Sequence, residues 1–212
     1  MKKSTAKKEN PGSKKENQKK QEKPSFPIVG IGASAGGLET MEQFLGNVPE
    51  NQTEKFVATG RLATGSQNGM ISTSPLGSCV AVIAYDKTSK IGGIAHIMLP
   101  GNSPKDDKAE ENKYAENAIE NLLDELKKSG SKNANIEICL VGGANVLKKE
   151  NDTIADNLIF SIFKIMKQKK LSIKKTSLGG YERRSATLNL SSGIVNYTVG
   201  DSTEKKLCEF CS

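Results

Sequence analysis

The sequence predicts an α+β fold, in which a layered sandwich of mixed and antiparallel strands carries two main helices. Three observations support this prediction. Short apolar runs bounded by turn residues alternate with two segments of helical periodicity, some of the runs are separated by hairpin-length turns, and no regular βαβ repeat connects them. The segment from Glu54 to Leu207 is long enough to form one well-buried core.

The first predicted hairpin lies between residues 80 and 99. Residues 80–85 are β-branched, aromatic or small and carry no charge, which is typical of a strand. Residues 86–89 (Asp-Lys-Thr-Ser) have the composition of a turn, and a second apolar run occupies residues 91–99.

The register of this hairpin decides which side chains meet. With a loop of four residues, Tyr85 faces Lys90 and Cys79 faces His96. Directly opposed residues have Cβ atoms about 4.5–5.5 Å apart, so we expect the sulfur and the imidazole to meet. A loop with an odd number of residues, or a bulge at Gly92-Gly93, would change this register.

The remaining elements follow from periodicity in the second half of the chain. A helix ending near Gly130 and a second helix are predicted from apolar residues at helical spacing. A strand at 136–141 stops at Gly142-Gly143, and a hairpin turns at Ser191-Ser192-Gly193. The residues that carry these patterns are Tyr114, Ala115, Ala118, Ile119, Leu122, Leu123 and Leu126; Leu158, Ile159, Ile162, Phe163 and Met166; and Ala186, Leu188, Leu190, Val195, Tyr197 and Val199.

Cys79 and His96 are the candidate catalytic pair. His96 is the single histidine of the 212 residues. A thiol beside an imidazole can attack an acyl or amide carbon, and Thr73, six residues before the cysteine, is a candidate third group that orients the ring. The backbone N–H groups that follow Gly77, at Ser78 and Cys79, are candidates for oxyanion stabilisation. Taken singly, a strand cysteine is more often a buried apolar residue, and a lone histidine a hydrogen-bonded structural one.

These residues also carry a resemblance to a known family. The chain closely resembles the CheD chemoreceptor glutamine deamidases over roughly Glu54 to Leu207. The matching motifs are Thr73-x-x-x-Gly77-Ser78-Cys79-Val80-Ala81-Val82, Asp86, Gly92-Gly93, His96-x-Met98-Leu99-Pro100, Val141-Gly142-Gly143-Ala144, Asn157, Leu178-Gly179-Gly180 and Arg183-Arg184.

The resemblance implies a hydrolase that converts glutamine side chains of methyl-accepting chemotaxis proteins to glutamate and releases ammonia. The family's catalytic cysteine, histidine and threonine fall on Cys79, His96 and Thr73. No cofactor and no metal are expected. The competing hypothesis is a binding module, since proteins of this kind also associate with receptors and with CheC-type phosphatases. Departures from the family pattern include Ser74-Pro75 and Ile97, where Pro75 removes a backbone donor.

The first 24 residues differ in composition from the rest. They contain nine lysines and three glutamates, a net charge of +6 out of the chain's +7, and almost no apolar residues. We expect this segment to be disordered and solvated, with no nucleic-acid partner, because no aromatic or arginine side chains accompany the lysines. No apolar run has the length of a signal peptide core or a membrane span, so we expect a cytoplasmic protein without membrane insertion.

Residues 25–53 form a linker that resembles a different family. Residues 26–51 look like the opening of a CheB-type receptor methylesterase domain, with Ser34 at the place of its nucleophile. The spacing Gly30-x-Gly32-x-x-Ala35 also satisfies a loose dinucleotide fingerprint, but no βαβ unit completes it. Because the partners of the serine are missing, we interpret the segment as a truncated remnant without activity.

The remaining cysteines are expected to have no catalytic part. Cys139 lies in an apolar strand and is expected to be buried and inert. Cys208 and Cys211 form a C-x-x-C in the terminal segment 208–212, which we expect to be a frayed tail, since a structural zinc site usually needs four ligands.

Overall fold

The computed structural model describes residues 54–104, 108–150 and 153–211. The lysine-rich tail and the esterase-like segment therefore lie outside the described residues. The described residues form ten strands and two α-helices: β1 (Glu54–Val57), β2 (Leu62–Ser66), β3 (Met70–Thr73), β4 (Val80–Asp86), β5 (Ile91–Ile97), α1 (Ala115–Lys128), β6 (Ile136–Gly142), α2 (Ile154–Gln168), β7 (Ser172–Leu178), β8 (Arg184–Asn189), β9 (Ile194–Val199) and β10 (Lys205–Glu209). Two short 3₁₀ helices span Lys108–Lys113 and Asn133–Asn135.

The strands form two sheets of five. The inner sheet has the order β2-β5-β4-β6-β7, and the outer sheet has the order β1-β3-β8-β9-β10. Neighbouring strands are antiparallel except for β6–β7 in the inner sheet and β1–β3 in the outer sheet. The predicted α+β sandwich with mixed strands and two main helices is confirmed.

Strand β4 shows how the layers are built. Its residues Ala81, Ile83 and Tyr85 face the outer sheet, and the alternate residues Val80 and Val82 face the helices. All seven residues of β4 are buried because both faces of the strand are covered. This is why β4 has a continuous apolar sequence instead of the alternation seen in a strand with one solvent face.

The β4–β5 register differs from the predicted one by two residues. Asp86 pairs with Ile91, so that Tyr85 faces Gly92 and Ala81 faces His96. The cause is Asp86, whose carboxylate accepts the N–H groups of Thr88 and Ser89 and thereby caps the turn from within the strand. The loop is Lys87–Lys90, which still has four residues, and the ladder runs through Gly92-Gly93 without a bulge.

Both predicted helices are present. The apolar side of α1 is buried at the positions that the sequence indicated, and α1 ends at Lys128, just before Gly130. Helix α2 buries Leu158 and Ile162, whereas Phe163 is 42 % exposed and lies outside the core. No helix of the described residues is long and apolar enough to cross a membrane.

The folded part of the chain continues beyond Leu207. Strand β10 pairs with β9 up to Glu209, and Phe210 is fully buried, with its ring stacked 5.4 Å from that of Tyr85. The expectation of a frayed tail from residue 208 is therefore wrong. Leu207 and Phe210, three residues apart among lysines, glutamate and cysteines, give no period-two alternation that would reveal a strand.

Candidate active site

His96 is held from both sides by the inner sheet. It faces Ala81 across the β4–β5 ladder, and on the other side its N–H donates to the Arg61 carbonyl while its own carbonyl accepts from Gly60 N–H. Ile94, two residues earlier on β5, faces the outer sheet. Because side chains alternate along a strand, the imidazole of His96 lies on the same face. The residue is completely buried. The single histidine is thus fixed between the two sheets.

A serine hydroxyl is hydrogen-bonded to one ring nitrogen of His96. Ser74 Oγ lies 3.0 Å from Nδ1, and Thr59 Oγ1 lies 3.5 Å from the same serine oxygen. The other nitrogen, Nε2, is buried and has no hydrogen-bond partner among the described residues. The sequence showed Ser74 as a departure from the family pattern, but no periodicity or spacing indicated that it would meet the imidazole.

Thr73 lies next to this contact and makes a different one. It is the last residue of β3 and is 5 % exposed. Its hydroxyl oxygen accepts the N–H of Ala186 from the adjacent strand β8 at 3.1 Å. The contact with the His96 ring that was expected of Thr73 is made in this structure by the following residue, Ser74, at Nδ1.

Cys79 immediately precedes β4 and is partly buried. Its side chain packs against the apolar cluster between the two sheets, the region that His96 also faces. Since Ala81 is directly opposite His96, Cys79 lies diagonal to the histidine, and diagonal neighbours are typically about 7–8 Å apart. The structure therefore places the two residues on a shared face but in a diagonal relation, not in the direct opposition that the sequence predicted.

The loop from Gly77 to Cys79 is held in place by the residues at the end of β6. Gly143 N–H donates to the Cys79 carbonyl and Ala144 N–H donates to the Gly77 carbonyl, each at 2.8 Å. Gly142 has φ +121°, and a Cβ at this position would overlap the Cys79 carbonyl oxygen. Only glycine combines this backbone conformation with so close an approach. The consecutive glycines Gly142-Gly143, which the sequence indicated as a strand end, therefore pack against the backbone of Cys79 and hold it in position.

Two backbone donors at the loop remain available. Within the described residues, the N–H groups of Ser78 and Cys79 donate to no acceptor of another residue. Oxyanion stabilisation requires such uncommitted donors beside the nucleophile. The sequence-based candidates, the N–H groups of Ser78 and Cys79 beside Gly77, are thus bonded to no other residue, and the Cys79 N–H meets only its own thiol.

Burial keeps both reactive groups uncharged at rest. Burial raises the pKa of the Cys79 thiol, with its own backbone N–H acting weakly in the opposite direction. Burial also lowers the pKa of His96 to about 4, and the Val57 backbone opposes this shift only in part. At neutral pH the site therefore holds a thiol and a neutral imidazole, and the free lone pair of that imidazole can accept a proton.

No metal site accompanies the pair. Among the described residues, no group of three or more histidine, cysteine, aspartate or glutamate side chains is clustered tightly enough to hold a metal ion.

Comparison with known proteins identifies relatives. The sequence matches the family described as CheD chemotactic sensory transduction over residues 98–198. It is 37 % identical over 161 residues to a probable chemoreceptor glutamine deamidase CheD of Chlorobium luteolum, covering 76 % of this chain and 80 % of that protein. It is 34 % identical over 140 residues to the chemoreceptor glutamine deamidase CheD of Thermotoga maritima, covering 66 % and 88 %. A similar protein of Pyrococcus horikoshii is 31 % identical over 159 residues, covering 74 % and 97 %.

The chain belongs to the CheD family. The similarity includes the candidate site, because a match of 161 residues in a chain of 212 begins no later than residue 212 − 161 + 1 = 52. Thr73, Cys79 and His96 all lie within that CheD match. The sequence-based resemblance to CheD is therefore confirmed, whereas the CheB-like opening falls on residues outside the described part.

We predict that the imidazole of His96 titrates near pH 4. Because the chain has one histidine, its ring proton resonances can be followed by NMR without assignment ambiguity. The unfolded chain binds a proton near pH 6.5 and the folded chain only near pH 4, so the unfolded state is favoured progressively as the pH falls between these values. The full loss is roughly 3 kcal/mol of unfolding free energy.

The matched control for this titration is His96→Gln, measured by chemical denaturation. Between pH 6.5 and 5, most carboxylates remain ionised, so the wild-type protein should lose stability over this interval and the variant should lose much less. A wild-type histidine that titrates near pH 6.5 would contradict the enclosed, neutral imidazole.

Proposed function

We propose that this CheD-family chain hydrolyses the side-chain amide of glutamine residues in methyl-accepting chemotaxis proteins, giving glutamate and ammonia. The observation that carries the proposal is the buried, unpartnered Nε2 of the single histidine, on the face that Cys79 shares. The choice of substrate rests on the relatives named above as chemoreceptor glutamine deamidases.

The first half of the proposed reaction forms a thioester. Cys79 Sγ attacks the amide carbon of the glutamine while its proton passes to His96 Nε2. The N–H groups of Ser78 and Cys79 stabilise the negative oxygen of the tetrahedral intermediate. The imidazolium then returns the proton to the amide nitrogen, the carbon–nitrogen bond breaks, and ammonia leaves.

The second half releases the product. A water molecule gives a proton to Nε2 and attacks the thioester carbon, and the second tetrahedral intermediate collapses to glutamate. The imidazolium reprotonates the departing sulfur, so that thiol and neutral imidazole are restored. The net change is glutamine plus water to glutamate plus ammonia, and no cofactor enters the balance.

Thr73 is proposed as a further member of the site. Its hydroxyl accepts the N–H of Ala186 and so attaches the end of β3 to β8. This contact supports the proposal because it fixes the backbone that leads directly into Ser74. Gly77 contributes in a similar way, since its carbonyl is held by the N–H of Ala144.

A second candidate function is a regulator that binds receptors or a CheC-type phosphatase without catalysing. Large apolar side chains exposed on α2 and the preceding loop favour it: Leu147 is 72 % exposed and Phe160 is 73 % exposed. Exposed apolar side chains of this size are common at protein interfaces. We propose the cytoplasm as the place of action for either function, because receptor signalling domains would be the substrate or partner, and we assign no catalytic part to Ser34.

The variant Cys79→Ala separates these functions. We expect it to lose deamidation of receptor cytoplasmic fragments by at least about 1,000-fold, because no other group replaces the nucleophile. Deamidation is followed by mass spectrometry as conversion of glutamine to glutamate. Cys211→Ala, at an exposed cysteine, is the matched control and should retain full activity.

Unchanged deamidation by Cys79→Ala would exclude the proposed mechanism. If the variant loses deamidation but still restores chemotaxis to cells that lack the protein, the binding function is the principal one.

A further inference from the structure

We propose that Ser74 is a positioning residue that sets the orientation and tautomer of His96. This inference rests on the proposed function for its catalytic meaning, although the contact itself is a property of the folded chain. Ser74 Oγ is 3.0 Å from Nδ1, whereas the Thr73 hydroxyl is engaged with the Ala186 N–H.

The backbone around Ser74 is held on both sides. Its N–H donates to the Val57 carbonyl at 3.1 Å, and the following Pro75 restricts it to extended conformations. Beyond the proline, Leu76 and Arg184 exchange two backbone hydrogen bonds, of 2.6 and 2.9 Å. The serine hydroxyl therefore meets the ring from a fixed segment, as a positioning group must.

The burial of Nε2 selects one tautomer. If Nε2 carried the proton, a buried N–H donor would have no acceptor, which proteins rarely tolerate. If Nδ1 carries it, Ser74 Oγ accepts that proton and Nε2 presents only a lone pair. The serine hydroxyl can then donate toward Thr59 Oγ1, 3.5 Å away near the surface. Nε2 is thereby left as the proposed base, on the face of the inner sheet that Cys79 shares.

The bond also gains strength during catalysis. When Nε2 takes the thiol proton, the ring becomes cationic and Nδ1–H becomes a charge-assisted donor to Ser74. Loss of that bond should affect the chemical step more than substrate binding. We expect Ser74→Ala to lower kcat about 10- to 100-fold with little change in KM.

The test compares Ser74→Ala with Ser74→Thr, which keeps the hydroxyl, and with Thr73→Val, which removes the neighbouring one at nearly constant shape. Besides kcat and KM, ¹⁵N NMR of the single imidazole reports which ring nitrogen is protonated. We expect a protonated Nδ1 in the wild type, a changed tautomer balance or histidine pKa in Ser74→Ala, and restoration in Ser74→Thr. Thr73→Val should lower thermal stability and change the imidazole spectrum less than Ser74→Ala does.

The spectrum keeps this test separate from the proposed function. An unaltered imidazole spectrum in Ser74→Ala, or a shift caused by Thr73→Val alone, would overturn the assignment to Ser74. If the wild type deamidates no receptor fragment while its Nδ1 signal still depends on Ser74, the proposed function fails and the positioning contact stands.

A second inference concerns thiols far from this site. The sulfurs of Cys139 on β6 of the inner sheet and Cys208 on β10 of the outer sheet lie 2.7 Å apart. We propose that these two cysteines form a disulfide when a low-molecular-weight disulfide such as oxidised glutathione is present. Cys139 is fully buried, and Cys208 is the partly exposed member that a reagent reaches first.

The reactivity of the pair follows from its environment. A hydrogen bond from Cys139 and the nearby Lys174 lower the pKa of Cys208, whereas the same hydrogen bond and burial raise the pKa of Cys139. Cys208 is therefore the attacking thiolate. It displaces one small thiol from the reagent, and Cys139 then attacks Cys208 Sγ and releases the second. Two protein thiols and one small disulfide give one protein disulfide and two small thiols.

Peptide mapping after incubation with oxidised glutathione and alkylation of free thiols tests this inference. We expect one cross-linked peptide pair containing Cys139 and Cys208, formed equally in Cys211→Ser and reversed by dithiothreitol. In Cys139→Ser we expect a mixed glutathione disulfide on Cys208. Cross-linking of Cys208 to Cys211, or free alkylation of Cys208 throughout, would overturn it. Cys79 precedes β4 and lies four residues before Ile83, the partner of Cys139, so it should remain uncrosslinked.

Discussion

The contact between Ser74 Oγ and His96 Nδ1 is the interaction on which the arrangement of the site depends. It occupies one nitrogen of a completely buried imidazole and leaves the other without a partner among the described residues. A buried neutral ring with one uncommitted lone pair is poorly solvated and therefore holds a proton weakly, which agrees with a pKa of about 4. Such an imidazole takes up a proton at neutral pH only from a donor that loses its proton in the reaction, here the Cys79 thiol of the proposed mechanism.

The two sheets supply this contact between them. The inner sheet carries the histidine on β5 and the cysteine ahead of β4, and the outer sheet delivers the serine from the end of β3. The glycines at the end of β6 fix the position of the Cys79 backbone, because Gly142 has no side chain and can lie directly against the Cys79 carbonyl. Each reactive group is thus attached to a regular strand or to its immediate end, which is the kind of support that fixes catalytic geometry.

Most of this could be predicted from the sequence, and the parts that could not have identifiable causes. The shared face of Cys79 and His96 followed from the even length of the loop, which strand parity preserves. The direct opposition of these residues was wrong because Asp86 acts as a turn cap from inside the strand, which shifts the pairing by two residues. Ser74 was missed because its role comes from the meeting of two sheets, which no local pattern encodes. The strand at 205–209 was missed because its residues are at most partly buried, and the one fully buried side chain, Phe210, follows the strand.

In the proposed reaction, Cys79, assisted by His96, forms a covalent acyl intermediate with a receptor glutamine. Interception by hydroxylamine measures this most directly, because a thioester partitions between water and the stronger nucleophile. We expect rising hydroxylamine concentration to convert the target glutamine to a hydroxamate at the expense of glutamate, as read by mass spectrometry of the receptor fragment. Formation of glutamate alone at every hydroxylamine concentration would contradict it.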